Sequence, residues 1–254
     1  MRNFRIILFT LLSVCSLTVR GASDLNSVLE RGRDLFGYGR RSDARHEFLR
    51  ARALLDPADR AAREEIDYYL AACAVELGRD DAEGALRDFE RRHPGSVYAN
   101  DVRFSLGSYY CAVGNMPLAR EAFERTEYKA LSAPRREQYD IRMGYVEFTQ
   151  GDYAAAYDRF SRIGSRSEYA DHALYYRSYI DYAEGRYDRA KDGFTQLTRS
   201  DAYRDLVPFY LLQIEFRNGN YRYVVDHGEE LVRKAVPERQ AELERVIAES
   251  WFRL

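Results

Sequence analysis

The sequence predicts an all-α solenoid of helical hairpins, and three observations carry that expectation. Six glycines, Gly39, Gly78, Gly114, Gly151, Gly185 and Gly219, stand 39, 36, 37, 34 and 34 residues apart. Large apolar residues and one small residue recur before each glycine at helical spacing. An alanine followed four residues later by a phenylalanine recurs after four of the six: Ala44 and Phe48, Ala119 and Phe123, Ala156 and Phe160, Ala190 and Phe194. A period of this length marks units that bury their apolar faces only by stacking on neighbours.

The first helix of each unit is defined by offsets from its glycine. Ten residues before it stand Leu29, Tyr68, Phe104, Ile141, Tyr175 and Phe209, and three before it stand Phe36, Val75, Cys111, Phe148, Tyr182 and Phe216. Seven before it stand Gly32, Ala71, Gly107, Gly144, Ser178 and Leu212, small in five cases of six. These offsets share one face of a helix with 3.6 residues per turn. The glycine closes that helix, because a left-handed residue carries least strain there when it has no Cβ. Four glycines lead into similar turns: Gly114-Asn115-Met116, Gly151-Asp152-Tyr153, Gly185-Arg186-Tyr187 and Gly219-Asn220-Tyr221.

The second helix places Ala44, Glu83, Ala119, Ala156, Ala190 and Val224 five residues after the glycine, and Phe48, Arg87, Phe123, Phe160, Phe194 and Gly228 nine after. The alanines are expected to be buried against the small residues of the first helices. In the second unit Glu83 and Arg87 break the pattern, while Ala82 and Leu86 stand one residue earlier, which reads as a change in turn length. The expected hairpins cover about 23–57, 60–97, 98–132, 135–166, 169–200 and 203–236, followed by a terminal helix over 237–254.

This pattern resembles the tetratricopeptide repeat (TPR) family. Leu106-Gly107 with Tyr110, then Gly114, Ala119 and Phe123, follow that family's L-G-x-x-Y and A-x-x-x-F motif, although its early tryptophan is absent throughout. The resemblance covers roughly 23–254 and implies a right-handed superhelical solenoid whose first helices line a concave, protein-binding surface. His93-Pro94-Gly95-Ser96-Val97-Tyr98-Ala99 is similar to a helix junction in TPR proteins of bacterial envelopes, such as the outer-membrane assembly lipoprotein and the periplasmic partner of the Tol–Pal system. Pro94-Gly95 also has a simpler reading, as a helix breaker.

Residues 1–21 lie outside the repeats. Arg2 and Arg5 precede an apolar run from Ile6 to Val19, and Val19 and Gly21 suit cleavage after Gly21, which reads as a secretory signal. A retained signal anchor is the alternative. Cys15 offers a further possibility, lipidation, although Val14 stands where a smaller residue is usual and the apolar run continues past it.

Cleavage after Gly21 would remove three arginines and no acid, leaving 36 basic and 41 acidic residues. The charges interleave along the helices, as solvated faces and intrahelical pairs do. No basic stripe points to nucleic acid. Cys73 and Cys111 stand at different heights in their units, so two buried thiols are expected instead of a bridge.

Catalytic and metal motifs are missing. His46, His93, His172 and His227 fall in different units, with no H-E-x-x-H pair or cysteine–histidine set. His172, near the start of a first helix, would face a groove or simply solvent. Gly37-Tyr38-Gly39 coincides with a repeat turn and follows no strand, so it is no dinucleotide loop. No cofactor, metal or enzymatic activity is expected.

The 21 tyrosines and 13 phenylalanines are the compositional outlier. If the register follows the family, the concave surface presents Tyr68, Phe104, Tyr145, Tyr175, Tyr179 and Tyr182, although rings at helical spacing also pack between helices. Tyrosine suits binding because it offers a large contact area with a polar tip. The last helix reads as a cap or as the start of a seventh repeat; Val246, Ile247, Trp251 and Phe252 give it an apolar face that suits a truncated array, or an interface through Trp251 and Phe252, better than a cap. The expected function is a non-catalytic scaffold of the bacterial envelope. It would be exported to the periplasm or outer membrane and would hold a protein segment. The alternative is a glycan or small-molecule binder that uses the same rings.

Overall fold

The computed structural model describes residues 24–235 and 237–254. The signal segment, its cleavage site and Cys15 lie outside the described residues. The described residues form two compact units, which divide between Ser132 and Ala133. No strand occurs among the described residues.

The N-terminal unit contains α1 (24–37), α2 (Arg41–Leu54), α3 (Arg60–Glu76), α4 (Ala82–Arg92), α5 (Ala99–Ala112), α6 (Met116–Glu124) and a 3₁₀ turn, Tyr128–Ala130. The C-terminal unit contains α7 (Ala133–Thr149), α8 (Tyr153–Ser161), α9 (Ala170–Ala183), α10 (Tyr187–Leu197), α11 (Val207–Arg217), α12 (Tyr221–Lys234) and α13 (Pro237–Arg253). Odd-numbered helices are the first helices of hairpins, and even-numbered ones the second.

The six anchor glycines are the residues with positive φ among those described, between 60° and 81°. Each ends its first helix in the same pair of hydrogen bonds. In the fourth unit the Asp152 amide donates to the Glu147 carbonyl at 2.9 Å and the Gly151 amide to the Phe148 carbonyl at 3.0 Å. This is the Schellman closure that a left-handed residue makes possible. The residue after the glycine then opens the second helix. The Asn115 and Asp152 side chains accept from the amides of Leu118 and Ala155, both at 3.3 Å.

Packing inside each hairpin corrects one expectation. Ala44, Ala119, Ala156 and Ala190 are fully buried. In the first, third and fourth units, however, the small residue of the first helix faces the phenylalanine, and in the fifth Ser178 faces Gly193. A Cβ on Gly107 would stand 2.6 Å from the Phe123 ring, and one on Gly144 would stand 2.9 Å from Phe160. The glycine makes room for a ring, and the alanine lets the helices close over it.

Two units solve the same problem with different residues. In the second unit Ala82 and Leu86 are buried while Arg87 is exposed, so the inward face is carried one residue earlier, after a longer turn. In the sixth unit Leu212 is large where others are small, and Gly228 replaces the phenylalanine. Ile247 of α13 fills that place, 2.5 Å from where a Gly228 Cβ would be. Leu243 and Val246 of α13 are also buried there, so Val246 belongs to the core and not to an exposed face.

Candidate functional site

Three junctions between adjacent hairpins are aromatic sandwiches. The phenylalanine of one second helix stacks on a tyrosine nine residues before the next glycine. Phe48 meets Tyr69 with centroids 4.5 Å apart, Phe160 meets Tyr176 at 5.1 Å, and Phe194 meets Tyr210 at 4.8 Å, with interplanar angles of 4°, 13° and 10°. The ring three before the glycine of the earlier hairpin approaches the same tyrosine edge-on: Phe36 to Tyr69 at 5.1 Å, Phe148 to Tyr176 at 4.9 Å, Tyr182 to Tyr210 at 5.7 Å. Stacked and edge-on pairs are the favoured arrangements of rings that carry a quadrupole.

The turn tyrosines close each hairpin. Tyr153 packs 5.5 Å from Phe148, Tyr187 5.9 Å from Tyr182, and Tyr221 5.8 Å from Phe216. In the first unit Arg41 holds this position, its guanidinium 3.9 Å from the Phe36 centroid.

The loop between units explains the motif around Tyr98. The Ser96 hydroxyl donates to Glu64 at 2.6 Å and accepts from the Tyr98 amide at 3.0 Å. Ser167 repeats this with Glu137 at 3.0 Å and the Tyr169 amide at 3.2 Å. The latch sets Tyr98 on Tyr68, stacked at 4.2 Å. In the C-terminal unit Tyr203 stacks on Tyr175 at 4.7 Å.

These stacks divide the six expected groove residues. Tyr68 is covered by Tyr98 and bonded to Asp101 at 3.2 Å, and Phe104 packs 6.1 Å from Phe123; both are buried. Tyr175 lies under Tyr203, its hydroxyl 3.2 Å from that of Tyr210. Burial pushes the Tyr175 phenol strongly up, and it raises Tyr176 and Tyr203 to about 12. Tyr145, Tyr179 and Tyr182 are half-buried, as Tyr175 is, and differ from it in that their hydroxyls make no hydrogen bond among the described residues. Tyr145 and Tyr179 occupy equivalent positions on α7 and α9, six residues before Gly151 and Gly185. Burial raises the phenols of Tyr179 and Tyr182. His172 is bonded through Nδ1 to the Tyr203 hydroxyl, and burial lowers its pKa.

The C-terminal unit also holds three buried carboxylates four residues before its glycines: Glu147, Asp181 and Glu215. Arg159 reaches Glu147 at 3.3 Å, Arg186 reaches Asp181 at 2.5 Å, and Lys191 reaches Glu215 at 2.6 Å. Not every charge is therefore on a solvated face or in an intrahelical pair. Although burial opposes it, hydrogen bonds from Lys191 and Asn220 hold the Glu215 carboxyl below the ordinary glutamate range.

The chain matches solved structures across most of its length. A tetratricopeptide repeat protein from Parabacteroides merdae aligns over 90% of this chain and 87% of its own, with 14% identity and a TM-score of 0.54. The APC/C hetero-tetramer Cut9–Hcn1 aligns over 89% of this chain at 16% identity and a TM-score of 0.51, where this chain covers 42% of that one. No family model matches, and no curated protein sequence matches. The fold is that of the tetratricopeptide repeat.

Within this TPR fold the remaining candidates are placed as follows. Trp251 and Phe252 are exposed, by 57% and 91%, at the end of α13, and Trp251 borders a shallow groove with Val232, Ile247 and Ala248. A cleft of about 610 Å³ opens between α11, α12 and α13, and neither Tyr145 nor Tyr179 is among its lining residues. Cys73 is buried with its thiol pushed up to about 11 by burial, whereas Cys111 is half-buried, so the expectation of two buried thiols holds for one. Among the described residues, no group of three or more His, Cys, Asp or Glu is placed to hold a metal ion. No described helix of the TPR array is long and apolar enough to cross a membrane.

Proposed function

We propose that this protein is a non-catalytic scaffold that holds a segment of a partner protein. The observation that carries the reading is the pair Tyr145 and Tyr179. They stand at the same repeat position on consecutive first helices, half-buried, with hydroxyls unused among the described residues. Rings fixed by Tyr176 at 5.7 Å and Phe148 at 5.4 Å present apolar area and a polar tip with little rotamer entropy left to lose. Tyr182 extends the row on α9. Tyr175, in the same unit, packs 6.4 Å from Tyr179 and supports it.

The signal-like N-terminus and the Ser96–Tyr98 latch support an exported, envelope-associated role, with protein partners there and membrane attachment only through a lipid or signal anchor. A fusion of residues 1–40 to alkaline phosphatase checks export: activity is expected, and its absence places the protein in the cytoplasm.

The binding reading is tested by affinity capture from envelope extracts. Tyr145→Ala/Tyr179→Ala is expected to lose a partner that Trp251→Ala/Phe252→Ala retains. The opposite loss would move the site to α13. No captured protein, together with a saccharide-dependent change in tyrosine fluorescence, would replace a protein partner with a glycan.

A further inference from the structure

The cleft at the end of the C-terminal unit has a composition unlike that of a solvated groove. Leu206, Phe209, Leu231 and Leu243 line it with apolar side chains, and its volume of about 610 Å³ falls in the range of ligand sites. Its charged lining is Arg204, Lys234, Arg239 and Asp205, three cations against one acid. Two of those cations have carboxylates of their own: Arg204 pairs with Asp201 at 2.9 Å and Lys234 with Glu230 at 2.6 Å.

Arg239 is placed differently. Its guanidinium lies over two rings, 4.8 Å from the Phe209 centroid and 5.6 Å from that of Tyr210. It has no carboxylate partner among the described residues. Tyr210 is itself clamped between Phe194 and Tyr182. The two rings stand 85° apart, and a guanidinium set in the corner between them keeps N–H donors available for an anion. The site therefore offers a fixed cationic fork beside an apolar trough.

We propose that this cleft binds a medium-chain alkyl carboxylate, with the chain along Leu206, Leu231 and Leu243 and the carboxylate on Arg239. The charge balance selects an anion, the aliphatic lining selects an acyl chain, and the fork selects a carboxylate. Neither Tyr145 nor Tyr179 lines this cleft, so the proposal does not depend on those rings binding protein.

The test is calorimetric titration of the full chain with decanoate below its micelle concentration, alongside decyltrimethylammonium, which has the same tail and the opposite charge. Saturable one-to-one binding of decanoate is expected. It should weaken at least about tenfold for the cationic amphiphile and for Arg239→Gln, the usual size of one charge-assisted contact. Ala202→Trp, which adds bulk to the lining of the cleft and leaves Arg239 in place, should also abolish it, while circular dichroism stays unchanged in both variants. Equal binding by Arg239→Gln, equal binding of the cationic amphiphile, or no saturable binding of decanoate would overturn the proposal.

Discussion

Phe194 and Tyr210 stack face to face, their centroids 4.8 Å apart and their planes 10° from parallel, across the junction between α10 and α11. Phe194 is fully buried, and Tyr210 also touches Tyr175, Tyr179 and Tyr182. The ring that fills one hairpin is thus also the ring that carries the next. Because stability in a repeat array depends on such interfaces, the junction is a natural point of failure.

Phe194→Ala is expected to cost about 3–5 kcal/mol, as for other fully buried rings. A double-mutant cycle with Tyr210→Leu should show coupling of about 0.5–1.5 kcal/mol. Urea unfolding followed by circular dichroism measures both. Additive losses would mean that the stack contributes only its buried area.

Gly228 and Ile247 exchange volume. Gly228→Leu alone should destabilise the C-terminal unit by about 1–3 kcal/mol through overpacking. Combined with Ile247→Ala, the new side chain occupies the vacated space, and part of the loss should return. A double variant no more stable than Gly228→Leu would show that α13 does not replace the missing phenylalanine.

The tyrosine cluster makes the C-terminal unit sensitive to alkali. Tyr176 and Tyr203 have folded pKa values of about 12, raised by burial from an ordinary 10. The neutral phenol is favoured more in the folded state, so this stabilisation is full below pH 10 and is lost as pH rises from 10 towards 12. Absorbance at the phenolate band should show an exposed class titrating near 10. A buried class should appear only as the helical signal falls. One uniform titration would contradict the packing.

Glu215 gives the matching acid limb. Its folded pKa lies below the ordinary 4.5, so its contribution is complete above that value and is lost as pH falls through the folded pKa. Glu215→Gln should flatten the acid side of a stability–pH profile below 4.5 and leave the alkaline side unchanged.

Thiol chemistry distinguishes the two cysteines. In a Cys15→Ser background at pH 8, Cys111 should react readily with a disulfide reagent. Cys73, with a pKa near 11 and a buried sulfur, should react only on unfolding. Cys73→Ala and Cys111→Ala variants assign the two rates.

The hairpins were legible in sequence because each rests on a local rule. The anchor glycines carry positive φ where the spacing placed them. Gly107 and Gly144 marked close approach, although against Phe123 and Phe160 instead of the alanines. Stacking between units was harder to see. Tyr69, Tyr176 and Tyr210 share an offset in only three units, and they adjoin the aromatic position one residue earlier. Neighbouring helix positions differ by about 100° in direction, so offset alone does not say which of Tyr175 and Tyr176 meets a ring and which is roofed. Tyr68 read as a groove residue because nothing local announces that Tyr98 folds back over it. That contact depends on Ser96 reaching Glu64, 32 residues away.

The measurement that tests the central claim most directly is site-specific photo-crosslinking in intact cells, with benzoylphenylalanine in place of Tyr179, of Asp192 on α10, or of Phe252. The account predicts a discrete protein adduct from position 179, reduced by Tyr145→Ala and absent from position 192. Adducts only from position 252, or equally from all three positions, would contradict a scaffold that binds through its first-helix tyrosines.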